Sequence, residues 1–377
     1  MRTNLLRHDG KRWKLKGAKP SAPDVVLAFL SPSLPNMAGE FDTLRAIFPD
    51  SIVVGCSTSG EIYEDDVREQ TGSGIAISFD GDNASAKLAS AVQTNATDSF
   101  QTGMSLAKEL KNDDLVGIFI ISDGLKVNGS QLILGLQGVL GPNIPINGGL
   151  AGDNADFGET FVGANNTMTS GQVAIIGFYG NGLKMHSGSF AGWNDFGHVR
   201  TITRAKDNVL YELNEQPALD IYKKYLGEEA KDLPGSALLY PLNIYHPDEP
   251  DHDLIRSVIG VNEDDKSLIF AGDIPEGYSA RLMVGSPDNL IAGAGKAAQA
   301  ISACDPQNSV ALLVSCIGRF LVLGQRTYEE IEEVSEVLGA IPQAGFYSYG
   351  EISSHYKTGR CDLHNQTMTI TILEEAA

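Results

Sequence analysis

Two eight-residue stretches far apart in the chain, Gly55-Cys-Ser-Thr-Ser-Gly-Glu-Ile62 and Gly345-Phe-Tyr-Ser-Tyr-Gly-Glu-Ile352, share both glycines and the closing Glu-Ile in register. Each ends the same sequence of elements: a compact apolar strand, an amphipathic helix and a second apolar strand. In the first unit these are residues 25–31, a helix carrying Phe41, Leu44, Ile47 and Phe48, and residues 51–56. In the last they are residues 309–318, a helix carrying Tyr328, Ile331, Val334 and Leu338, and residues 341–351. A middle copy runs through 115–124, a helix with Leu132, Leu136, Val139 and Leu140, and 144–153, ending in Gly148-Gly-Leu-Ala-Gly-Asp153. A chain that repeats strand–helix–strand cannot be a helical bundle or an all-β sandwich. It predicts an α/β (mixed α+β) fold in which helices flank mixed sheets.

The surroundings of the second and third units also match. Candidate strands at 74–79 and 85–90 and a helix with Phe100, Met104, Ala107 and Leu110 precede the second unit. Candidate strands at 267–270 and 280–284 and an Ala-rich helix over 290–303 precede the third. Strands at 171–179 and 366–373 then follow the two units. The pattern predicts two related halves, residues 23–228 and 229–377, behind an N-terminal basic segment, 1–22. The break falls where a helix with Ala218, Ile221, Tyr222 and Tyr225 stops at Gly227 before the charged Glu228-Glu-Ala-Lys-Asp232 and Pro234-Gly235. Arg7, Lys11, Arg12, Lys14 and Lys16 make the first segment read as a solvated stretch.

A net charge of -20 over 377 residues opposes nucleic acid or an anionic membrane surface as the main partner. Cys56, Cys304, Cys316 and Cys361 are scattered without a Cys-x-x-Cys pair, so they read as reduced thiols of a cytoplasmic protein rather than a zinc or dithiol motif. No apolar run approaches bilayer length and no secretory signal pattern opens the chain, so membrane insertion is not expected.

Polar residues beside β-formers mark the candidate site. Glu61 and Glu351 close glycine turns at a sheet edge, where a carboxylate meets either a ligand amine or hydroxyl, or neighbouring backbone amides. Gly148 to Asp153 lacks the Lys-Ser/Thr of a phosphate loop and reads as a pocket wall ending in a carboxylate. Arg319 follows an apolar strand, where a guanidinium requires an internal acid such as Glu351 or a ligand carboxylate. Trp193 offers a planar face for stacking on a ligand, or is simply core or a lid, the more frequent role of such an aromatic group. His246-Pro-Asp-Glu-Pro-Asp-His252 reads as an exposed loop, with a metal site as the alternative. Cys316 with His364, or Glu61 with Glu351, are the residues an enzyme would use, but no convincing catalytic constellation is formed. Haem without covalent attachment would require one axial histidine.

Taken together, Gly55 to Glu61, Gly148 to Asp153, Thr201 to Leu219, Arg256, Ile274-Pro-Glu-Gly277, Ser315 to Arg319, Gly345 to Glu351 and His364-Asn-Gln-Thr367 resemble the FIST domain, a sensory module of signal-transduction proteins. The resemblance implies a stand-alone, non-catalytic sensor that binds a small molecule and regulates a signalling partner. The haem-binding nitric oxide sensors of this type, the NosP proteins, imply haem as cofactor, with His364, His246 or His198 as its ligand, and a histidine kinase as partner. The alternative is an amino acid or similar metabolite. Ligand-binding candidates under either reading are Glu61, Asp153, Trp193, Arg256, Arg319, Tyr347, Glu351, His364 and Asn365.

Overall fold

The computed structural model describes residues 1–20, 22–301 and 304–376. Three parallel strand pairs form its frame: Val25–Leu30 with Ile52–Ser57, Leu115–Ser122 with Ile146–Leu150, and Ser309–Cys316 with Gln343–Ser348. The chain crosses between partners through α1 (Met37–Ile47) in the first pair and α3 (Gly129–Leu140) in the second. The third crossing uses α6 (Ile317–Leu323) and α7 (Thr327–Leu338). The helices α2 (Ser99–Leu110), α4 (Ala218–Leu226) and α5 (Pro287–Gln299) complete the set used below. Mixed sheets flanked by helices are the fold class the sequence predicts.

Each parallel pair sits at the centre of a sheet of one pattern. On one side lies an antiparallel return strand, Gly72–Ser78, Gln172–Tyr179 or Met368–Glu375, followed by an outer strand, Arg2–His8, Ser85–Val92 or Leu183–Phe190. On the other side lies a hairpin that belongs to a different unit. The hairpin after the first pair, Glu61–Tyr63 and Asp66–Arg68, joins the third sheet by pairing with Gln343–Ser348. The hairpin after the second, Val162–Ala164 and Thr167–Thr169, joins the first sheet. That after the third, Gly350–Ser354 and Cys361–His364, joins the second. The exchange is cyclic, so the three sheets surround one interior. Leu27, Phe29 and Val54, Phe119 and Ile121, and Leu312, Val314 and Phe346 meet there, with Phe29 stacked on Phe346 at 4.9 Å between ring centroids. Opposite faces of the same strands carry the helices, as a period of two requires: α1 on the first sheet, α2 and α3 on the second, α5 and α7 on the third.

A fourth, antiparallel sheet, residues 194–284 with α4 against it, enters between Leu183–Phe190 and α5. This corrects one reading of the sequence. Ser267–Phe270 and Ser279–Val284 lie in the inserted sheet, and Leu183–Phe190 takes the place expected for them. Apolar alternation marks a strand but not the sheet that recruits it.

The basic N-terminal segment is also not a solvated stretch. Arg2–His8 pairs along its whole length with Gly72–Ser78, and Leu5, Leu6 and His8 are buried. In α7 the buried stripe is Thr327, Glu330, Ile331, Val334 and Leu338, leaving Tyr328 exposed, and Phe100 of α2 is exposed as well. The Ala-rich helix ends at Gln299, and the positions 302–303 read into it lie outside the described residues. No helix among the described residues is long and apolar enough to cross a membrane.

Candidate functional site

The two repeated glutamates are buried and occupied by the protein itself. Glu61 accepts from the Thr58 hydroxyl and from the backbone N–H and hydroxyl of Thr71, at 2.6–3.1 Å. Glu351 accepts from Ser348 Oγ and from the N–H and hydroxyl of Thr367, at 2.7–3.1 Å. Thr71 and Thr367 each precede a return strand, so each carboxylate clasps the start of a hairpin to the next strand of its unit. In the second unit the residues before the return strand are held instead by Asp123, at the end of Leu115–Ser122, which accepts from Leu125 N, Lys126 N, Ser170 Oγ and Gly171 N. Of the two roles open to these carboxylates in the sequence, the observed partners are internal.

Burial pushes Glu61 and Glu351 up to about 7, against the opposing pull of those hydrogen bonds. Between the ordinary 4.5 and about 7 the folded chain therefore holds protons that the unfolded chain has released. Stability contributed by these groups is full below that window, falls as pH rises through it and is level above it. The double substitution Glu61→Gln, Glu351→Gln is expected to flatten this part of the profile, by on the order of a few kcal/mol between pH 5 and 8. Urea midpoints measured across that range check it; an unchanged slope in the double variant is incompatible with protonated carboxyls.

The other sequence-predicted residues divide in the same way. Arg319 is fully buried and forms its ion pair with Glu330, not with Glu351 as the sequence suggests, while also donating to Ala191 O and Leu290 O. Ser315 Oγ and Tyr347 Oη donate to the other oxygen of Glu330, at 2.9 and 2.8 Å. Asp153 accepts from the backbone N–H groups of Phe157, Gly158 and Glu159 and from Tyr349 Oη, closing its own loop. Asn365 accepts from Ser257 N and donates to His364 O. Cys316 is buried, and its thiol is pushed up by desolvation and by Glu351 nearby, which opposes the thiolate a nucleophile requires.

Trp193 and His364 do come together, on a cavity of about 90 Å³ shared with His355 and Met283. Trp193 Nε1 donates to Gln366 O at 3.0 Å, and its ring packs on Gly285. His364 Nε2 sits 2.9 Å from Ser353 O, and burial lowers the imidazole to about 4. This cavity is smaller than the roughly 300–1,000 Å³ of sites that take large ligands, so as it stands it does not enclose a haem. His198 is exposed on the inserted sheet, and the His246 side chain is 45% exposed in its loop. Neither offers an enclosed porphyrin site.

Arg256 behaves differently from all of these. It lines a cavity of about 320 Å³ between α3, the inserted sheet and the Cys361–His364 strand, with His252, Asp273, Tyr278, Arg360 and Asp362 on the same walls. The residue is only 4% exposed, yet no carboxylate among the described residues lies within ion-pair distance of its guanidinium. Its Nε donates to Asp273 O, and its Nη1 to Ile255 O and Leu363 O, at 2.9–3.2 Å. Nη2, with two further N–H groups, has no protein acceptor among the described residues. Burial lowers the pKa of this guanidinium, the cost expected of a desolvated cation without a paired anion. The opposing carboxylates are held elsewhere: Asp273 accepts from Asn128 and Gln131 on the α3 side, and Asp362 faces His252 Nε2 at 3.2 Å. His252, read as part of an exposed loop, is thus packed against the cavity. Asp273, Tyr278, Arg360 and Asp362 are absent from the sequence-based site. Their nearest signal was Ile274-Pro-Glu-Gly277, directly after Asp273.

Models of the FIST N domain and the FIST C domain match residues 24–216 and 218–354. The chain belongs to the FIST family. An uncharacterized protein of Methanocaldococcus jannaschii is 25% identical over 324 residues, covering 78% of this FIST protein and 59% of the relative. The chain thus spans less than two thirds of that relative's length. FIST domains are associated with sensory ligand binding in signalling rather than with catalysis. In this FIST protein the Arg256 cavity borders segments from both matched regions: α3 from the first, the inserted strands and residues 361–363 at or beyond the second.

Proposed function

We propose that this protein is a sensor whose Arg256 cavity takes a small anionic metabolite of the amino-acid class, and that occupancy is passed to a signalling partner. One observation carries the reading: a buried guanidinium lines a cavity with an N–H pair that no group among the described residues accepts. A ligand carboxylate supplies that acceptor in a planar, two-point match, and a countercharge in direct contact, which Asp273 and Asp362 do not make. Arg256 and Arg360, with Asp273 and Asp362, give the walls both signs, which suits a zwitterion better than a polyanion. The volume matches a small metabolite. Because the walls come from α3, the inserted sheet and the last hairpin, a bound ligand adds to the hydrogen bonds that already join these elements.

Thermal-shift measurements of the full chain against amino acids and small carboxylic acids test this. A ligand at about 100 times its dissociation constant adds about 2.7 kcal/mol to stability, so a clear rise in melting temperature is expected for at least one α-amino acid. Loss of that rise in Arg256→Met places the ligand at this cavity. A flat response across the panel overturns the metabolite reading, and a response that persists in Arg256→Met overturns the site.

A further inference from the structure

At the outer edge of the third sheet, three side chains from separate segments converge. His186 lies on the outer strand Leu183–Phe190 of the third sheet, Glu374 on its neighbour Met368–Glu375, and Cys304 on the loop that follows α5. A nitrogen, a carboxylate oxygen and a sulfur, one from each residue, all lie within 4.8 Å of one another. Among the described residues this is the one such grouping of three or more metal-binding side chains. We infer that His186, Cys304 and Glu374 form a binding site for a divalent transition cation of the zinc type.

The backbone sets the geometry. In the antiparallel pairing Lys184 lies opposite Glu374 and His186 opposite Ile372, so His186 and Glu374 are diagonal neighbours on one face. At that spacing long side chains meet, and His186 Nε2 is 3.3 Å from Glu374 Oε2. The loop bearing Cys304 is fastened to the same strand. Asp305 N donates to Glu374 Oε1 and Glu375 N donates to Asn308 O, at 3.1 and 2.9 Å. Asp305 in turn accepts from Gln307 N and Asn308 Nδ2, which fixes the turn. The carboxylate is therefore oriented by a backbone donor on one oxygen while its other oxygen faces the imidazole, the outer support that metal-ligating carboxylates characteristically have. The thiol is delivered by a loop tied to the carboxylate's own strand.

The donor set selects the metal class. One imidazole, one thiolate and one carboxylate suit a borderline cation, zinc above all, and are a poor match to magnesium or calcium, which take oxygen. Three protein ligands leave a fourth tetrahedral position open. All three residues are partly exposed, with side-chain exposures of 25% for His186 and 17% for Glu374, so a cation and its water can reach the site.

Cobalt titration of the chelator-treated full chain provides the test, because cobalt(II) reports its ligands by colour. One equivalent is expected to give strong visible bands of tetrahedral cobalt and a thiolate-to-cobalt charge-transfer band in the near ultraviolet, both abolished by added zinc. Cys304→Ser should lose the charge-transfer band, and His186→Ala should weaken binding at least ~10-fold, in line with changes around a metal site. Glu374→Gln, which retains an acceptor for Asp305 N, supplies a variant that keeps the loop in place if either other variant fails to fold. His355→Ala, in the separate histidine cluster of the 90 Å³ cavity, should bind as the parent does. No stoichiometric cobalt binding, a charge-transfer band that survives Cys304→Ser, or loss of binding in His355→Ala each overturns the site.

Discussion

Glu330→Ala is expected to destabilise the fold by about 3–5 kcal/mol, the range for removing one partner of a buried ion pair. Both side chains of the Arg319–Glu330 pair are fully buried, so nothing replaces the lost charge. The loss also strands the hydroxyls of Ser315 and Tyr347, which share the same carboxylate. Most of the effect comes from what remains: a guanidinium enclosed among α5, α6, α7 and the end of the third sheet. Removing both charges in Arg319→Met, Glu330→Leu should therefore be less damaging than Glu330→Ala alone, although Ala191 O and Leu290 O lose their donor. Urea denaturation with an unchanged m-value separates these cases. A shift below about 1 kcal/mol for Glu330→Ala would mean that water reaches Arg319.

Arg256→Met is expected to reduce metabolite affinity by at least ~30-fold, from the roughly 2–5 kcal/mol lost when one partner of a desolvated charge pair is truncated. The same change removes the donors that hold Asp273 O, Ile255 O and Leu363 O, so some stability is lost with it. Arg256→Lys distinguishes the two effects. An ammonium keeps the charge but not the planar fork, so affinity should fall while the fold is largely retained. Isothermal titration of the ligand identified by thermal shift reads the first effect, and the urea midpoint reads the second. Equal affinity in parent and Arg256→Lys would show that the guanidinium geometry is not what the ligand meets.

The repeating frame was legible because its evidence is long and periodic: apolar strands of six to eight residues alternate with amphipathic helices. The cyclic exchange of hairpins was not. Glu61–Tyr63 and Asp66–Arg68 are three residues each, too short for period-two alternation to declare a partner, and their place is set by Gln343–Ser348 in the distant third unit. At the site, Arg319 stood out as a charge in apolar surroundings, whereas Arg256 entered only through the family resemblance. Which of them lacked a countercharge depended on Glu330, one of four glutamates in Glu329-Glu330-Ile-Glu332-Glu333 that composition cannot tell apart. Helical phase decides it: Glu330 lies beside Ile331 on the buried stripe. The repeated glutamates drew attention for a sound reason, burial beside a strand, but their partners are hydroxyls and amides of the neighbouring turns.

The hairpin exchange also governs how the molecule comes into being on the ribosome. Gln343 Nε2 reaches Glu64 O across 279 residues of chain. The first hairpin therefore emerges early in synthesis with its proper strand still unmade, and it waits as an unprotected edge until the third unit follows. Closing so distant a pairing is slow compared with local contacts. During that interval the edge of Glu61–Tyr63 that Gln343–Ser348 later covers is open to pairing with another strand.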